Sequence, residues 1–148
     1  MDIDPVTWFD EHFRNPQHAG SLPPGDTDVG TGRVENVRSG DVTRLQVRID
    51  KSSCEIRDAR FKAYGCSFTI ASASFIADLV IGRTMVSALA VTLDEINEAL
   101  SLPITKRYCA ELARDAMQLA VADYETKQDT QTHVISEQIN DSGNRSCG

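Results

Sequence analysis

Arg44-Leu45-Gln46-Val47-Arg48-Ile49, then Asp50-Lys51-Ser52-Ser53, then Ile56-Arg57-Asp58-Ala59-Arg60-Phe61-Lys62-Ala63-Tyr64-Gly65-Cys66 is the stretch that decides the fold. Leu45, Val47 and Ile49 alternate with Arg44, Gln46 and Arg48, which predicts a strand with one dry and one wet face. The polar run after Ile49 is a turn. The return, Ile56 to Tyr64, sets Ala59, Phe61 and Ala63 opposite Arg60 and Lys62, so it reads as a second strand. So short a connection joins antiparallel neighbours. A third, weaker strand is expected over Arg33 to Arg38, on the evidence of Val34 and Val37.

Working outward, helices dominate after Gly65. Cys66 to Ile81 is apolar or small nearly all round, which predicts a helix buried on most sides, and Gly82 is a plausible stop. Thr84 to Ala90 suits a helical turn or two. Thr92-Leu93-Asp94-Glu95 is a capping box ahead of Ile96, Ala99 and Leu100. Pro103 breaks the chain. A long helix is expected from about Lys106 to Lys127, with Cys109, Leu112, Ala113, Ala116, Ala120 and Asp123 near one stripe. Upstream, Asp4 can cap a short amphipathic helix that starts at Pro5, carries Trp8, Phe9 and Phe13, and stops at Asn15-Pro16. Gly20 to Gly32 reads as a loop. Strands first and helices after give an α+β fold, a small antiparallel three-stranded sheet covered on one face by helices. Residues 1–127 form the domain, and 128–148 read as a polar, disordered tail.

Composition narrows the function. The chain has 148 residues, 41% of them hydrophobic, enough for one domain with a real core. Its formal net charge of −7 argues against a general binder of nucleic acid or anionic membrane, which would need surplus Lys and Arg. No apolar run reaches the roughly 20 residues of a membrane helix. The acidic start, Met1-Asp2-Ile3-Asp4, has no basic region followed by an apolar one, so a cytoplasmic location is expected. No dinucleotide fingerprint, phosphate loop or zinc-protease motif occurs, and no enzyme activity is expected.

Four cysteines, Cys54, Cys66, Cys109 and Cys147, form no CxxC pair. In a reducing compartment they are better candidates for core, reactive or metal-binding thiols than for disulfides. Cys66 sits where a strand hands over to a helix, and Cys109 lies near the start of the last helix. Helix N-termini favour anions, so both thiols are expected to have lowered pKa values. Either one alone reads equally well as a small core hydrophobe; two at helix starts raise the prospect of a site for a soft atom. Asp41, in Ser39-Gly40-Asp41, reads locally as a turn residue. Cys54 reads as a surface thiol of the hairpin, and Cys147 as part of the tail. His12, His18 and His133 lie beside no cysteine in sequence, which gives a Cys/His catalytic pair little support.

The same residues carry a family resemblance. Glu11-His12-Phe13-Arg14-Asn15-Pro16-Gln17-His18-Ala19-Gly20, Ser39-Gly40-Asp41-Val42, Asp58 to Cys66, Ala71-Ser72-Ala73-Ser74, Leu102 to Cys109 and Ala122-Asp123-Tyr124 together resemble the IscU/NifU-type iron–sulfur cluster assembly scaffolds. The likeness runs from about Trp8 to Lys127, and the 43-residue step from Cys66 to Cys109 matches the short IscU type. It implies a labile [2Fe–2S] cluster or a zinc ion held by Cys66, Cys109 and Asp41, with Cys109 as a persulfide acceptor. It also implies a cysteine desulfurase as partner and, through Leu102-Pro103-Ile104-Thr105-Lys106, an Hsp70-type chaperone system. A homodimer sharing a metal is a further option. Two family ligands are replaced: the first cysteine by Ser39 and the histidine before the last cysteine by Tyr108. A serine hydroxyl is a hard oxygen that ionises reluctantly, and a phenol has a pKa near 10. Two thiolates and a carboxylate suit zinc with a water better than a cluster, which wants four mostly soft ligands. The readings that follow are a scaffold or carrier, a diverged paralogue acting as a binding or regulatory partner, and a sulfur relay without a cluster.

Overall fold

A computed structural model describes Arg14 and residues 16–136, with the backbone helix alone described over 131–136. The expected helix ahead of Asn15, and His12, His133 and Cys147, lie outside the described residues and side chains. Three strands, β1 (Val29–Glu35), β2 (Val42–Ile49) and β3 (Ile56–Tyr64), form one antiparallel sheet in the order β1-β2-β3. Leu45 pairs with Gly32 on one side and Phe61 on the other. Four α-helices follow: α1 (Ser67–Val80), α2 (Met85–Leu89), α3 (Leu93–Leu100) and α4 (Arg107–Ser136). A 3-10 turn, Ile104–Lys106, leads into α4. The expected α+β architecture is therefore present.

Leu45, Val47, Ile49, Ala59 and Phe61 are buried with Ala71, Ile76, Ala113, Ala116, Met117 and Ala120 in one core between sheet and helices. The small residues on α1 and α4 let helix backbones come close to the strands. The other sheet face is crossed by the segment before β1. There Gln46, expected on the wet face, is buried: its amide accepts from the Leu22 N–H at 2.8 Å and donates to the Leu22 carbonyl at 3.0 Å. A buried amide is tolerable because both ends are paired. The capping box on α3 forms as expected, with Glu95 N–H donating to Thr92 Oγ1 at 3.2 Å and Thr92 N–H to Glu95 Oε1 at 3.1 Å.

Three expectations need correction. Strand β1 occupies Val29–Glu35 and so lies largely inside the run read as a loop, while Asn36 to Asp41 turns. Gly30 and Gly32 are contact glycines: a Cβ on either would collide with backbone carbonyls of α4, at Ala120 and Ala116. Helix α4 does not end near Lys127 but continues to Ser136. Lys127 Nζ donates to the carbonyls of Pro24, Asp26 and Val29, and Gln128 Nε2 to that of Thr27 at 2.7 Å, which ties the helix past its expected end to the segment entering β1. Cys54, expected as a surface thiol, is half-buried.

Candidate metal centre

The antiparallel register brings the start of β2 beside the end of β3, with Val42 opposite Tyr64. Asp41 immediately precedes the first strand and Cys66 closely follows the second, so pairing alone puts both at one end of the sheet. The 36–41 turn fixes the approach. Asn36 Oδ1 accepts from the N–H groups of Arg38 and Ser39 at 3.0 and 3.2 Å, while Asn36 N–H donates to the Asp41 carbonyl at 2.8 Å. Gly65 then makes the corner into α1 at φ +151°, where a Cβ would press on the Asp41 carboxylate and the Thr69 hydroxyl. Cys66 is the N-cap of α1. Cys109 enters from the first turn of α4.

These elements converge. One donor atom each from Asp41, Cys66 and Cys109 lies within 4.8 Å of the other two, the only such grouping of three or more His, Cys, Asp or Glu among the described residues. Asp41 and Cys109 are buried and Cys66 is half-exposed, so the cluster opens to solvent on the Cys66 side. The three residues singled out in the sequence are thus brought together.

The two thiols differ electrically. Burial opposes ionisation of Cys66, but the Thr69 hydroxyl, the N–H groups of Thr69 and Phe68, and the positive charge of Lys106 outweigh it and bring its pKa below the ordinary value. Cys109 goes the other way, which corrects the expectation that both would be lowered. Burial pushes its thiol up to about 11, the neighbouring Cys66 adds to the rise, and hydrogen bonds from Thr69 and Tyr108 only partly offset it. Position at a helix start did not decide the matter; loss of water did.

Neither replaced position offers a thiolate or an imidazole, and both hydroxyls bond to Asp41. Ser39 is exposed, and its hydroxyl accepts from the Asp41 N–H at 3.2 Å. The Tyr108 hydroxyl donates to Asp41 Oδ2 at 2.7 Å, and that bond, with burial, raises the phenol's pKa further. A phenol so held is a neutral donor that orients a ligand. Sequence reasoning missed Thr69. It lies three residues after the N-cap Cys66, so its side chain returns towards the cap, the spacing a capping box uses.

Three acceptor-type donors with one solvent-facing side suit a single ion with a fourth position open. A cluster asks for four mostly soft ligands, and the described residues supply two thiols and a carboxylate.

Residues 9–131 match the family model for the NifU-like N terminal domain. The chain is 44% identical over 118 residues to the iron-sulfur cluster assembly scaffold protein IscU of Haemophilus influenzae, covering 80% of this chain and 93% of that one. Against the protein of the same name from Azotobacter vinelandii it is 42% identical, covering 80% and 91%. The N-terminal part of a nitrogen-fixing NifU-like protein from Brucella abortus superposes with a TM-score of 0.65 at 18% identity, covering 84% of this chain and 97% of that one, which supports the fold.

Proposed function

The chain belongs to the NifU-like N-terminal domain family, and we propose on that footing that it is an iron–sulfur cluster assembly scaffold or carrier. In this reading Asp41, Cys66 and Cys109 receive iron and sulfur as cargo. The observation that carries it is the convergence of those donors at the sheet end. The working unit is the domain up to about Lys127. It serves as a holding site rather than an enzyme, in the cytoplasm, with zinc as an alternative occupant. That no described helix is long and apolar enough to cross a membrane is compatible with this placing.

The sulfur donor is proposed to be a cysteine desulfurase. A site thiolate attacks the outer sulfur of the donor's persulfide, a new S–S bond forms on the acceptor, and the donor leaves as its thiolate. Cys109 is the acceptor by resemblance, but it is fully buried, and half-exposed Cys66 is the thiol an incoming protein meets first. We therefore extend the proposal to sulfur arriving at Cys66, with Cys109 reached only as the site opens. The Leu102–Lys106 segment, partly a 3-10 turn with Ile104 79% exposed, is the corresponding place for an Hsp70-type chaperone. A homodimer sharing one ion would supply the missing soft ligands.

Anaerobic reconstitution with iron, sulfide and a desulfurase tests the reading. The expected result is a sulfur-to-iron absorption band that Cys66→Ala and Cys109→Ala abolish. A colourless protein that still forms a tight complex with the desulfurase would favour the regulatory-partner reading. Persulfide detected by mass spectrometry without metal would favour the sulfur relay.

A further inference from the structure

We propose that Thr69 is a positioning residue of the metal centre, its single buried hydroxyl tying the three donors together and setting how tightly they hold a cation. The inference rests on the proposed function, since it assumes that Asp41, Cys66 and Cys109 are ligands.

Thr69 Oγ1 donates to Asp41 Oδ2 at 3.0 Å and lies 3.3 Å from Cys109 Sγ and 3.6 Å from Cys66 Sγ. The residue has no solvent exposure, so the hydroxyl must be satisfied inside the cluster or cost free energy. A hydroxyl has one proton and two lone pairs. With its proton on the carboxylate, Oγ1 can accept from a thiol S–H, which makes a chain from thiol through hydroxyl to carboxylate. Binding a soft cation removes the thiol protons. The hydroxyl then has only acceptors around it, and its proton must point at a ligand atom.

The three donors come from separate elements: the 36–41 turn, the N-cap of α1 and the first turn of α4. Thr69 belongs to α1 yet reaches the other two, so it couples their positions. A donor behind a ligand fixes the direction of that ligand's lone pair, and hydrogen bonds to sulfur draw electron density from it. Tyr108 holds the same oxygen of Asp41 at 2.7 Å. With Oδ2 taken by two donors, Oδ1 is the carboxylate oxygen left for an ion.

Cobalt(II) titrated into the apo protein, in competition with a chelator, tests this in Thr69→Val, Thr69→Ala and Thr69→Ser. Valine keeps the shape and loses the hydroxyl. Alanine is the second variant should valine fail to fold, which circular dichroism melts of the apo proteins show. Thr69→Val and Thr69→Ala are expected to bind cobalt roughly 10–100-fold more weakly, with the sulfur-to-cobalt band at longer wavelength. Thr69→Ser is expected to restore both. Folded Val or Ala variants with unchanged affinity and band would overturn the inference, as would a serine variant as weak as valine. Unmutated protein that takes up no cobalt would overturn the metal-centre reading and this inference with it; normal uptake by Thr69→Val would overturn this inference alone.

Discussion

The two ends of the sheet treat their acids in opposite ways. Near the Val29 end of β1, Arg48 sits 2.7 Å from Asp28 and 3.2 Å from Asp26, and Lys127 is spent on three backbone carbonyls. Asp26 and Asp28 there share the permanent positive charge of one guanidinium. At the other end, Asp41 and two thiols meet within 4.8 Å, and the groups touching Asp41 Oδ2 are neutral hydroxyls of Thr69 and Tyr108. A carboxylate paired with an arginine is finished. One packed among sulfur atoms with only neutral donors has charge left to offer a visiting cation. The difference separates an ion pair that belongs to the fold from a seat for cargo.

The comparison breaks most sharply under loss of a thiol. Cys66→Ala or Cys109→Ala should reduce cobalt(II) binding below detection, read by absorption titration, with the fold intact by circular dichroism. Retained binding would mean that the sulfur cluster is no seat. Next in size is Gly65→Ala. Its positive φ and the pressing of a Cβ on Asp41 should cost about 1–3 kcal/mol in a denaturant melt, together with weaker metal binding. Ser39→Cys should sharpen the picture from the other side by adding a soft ligand beside Asp41. The variant is expected to keep more iron after reconstitution and desalting than the unmutated chain; equal iron would refute the ligand argument.

Thiol reactivity follows from the opposite pKa directions. In the apo protein, iodoacetamide at pH 8 should label Cys66 before Cys109, because a lowered pKa places more Cys66 in the thiolate form. Labelling of Cys109 should rise only as pH climbs towards about 11. Peptide mass spectrometry along a pH series reads both, and equal labelling at pH 8 would contradict the account. The smallest effect is expected at the far end. Arg48→Met breaks pairs that are partly open to water and should cost roughly 0.2–1 kcal/mol, with metal affinity unchanged.

Legibility in the sequence followed how local each cause is. Strands β2 and β3 and the α3 capping box rest on neighbours in sequence, and the alternation of Leu45, Val47 and Ile49 was enough. Strand β1 was hidden because Gly30 and Gly32, which punctuate loops in isolation, here let the α4 backbone approach. The run of α4 past Lys127 depends on carbonyls from residues about a hundred positions away. At the site, Asp41 read locally as a turn residue, and only the family resemblance joined it to Cys66 and Cys109. Thr69 left a faint trace, three residues after a cap. The raised pKa of Cys109 left none, because burial by other elements cannot be read from its position at a helix start.

X-ray absorption of the zinc-loaded protein tests the central claim most directly. The account predicts a first shell with two sulfurs at about 2.3 Å and the remaining ligands oxygen at about 2.0–2.2 Å. A shell of oxygen and nitrogen alone, unchanged in Cys66→Ala and Cys109→Ala, would contradict it.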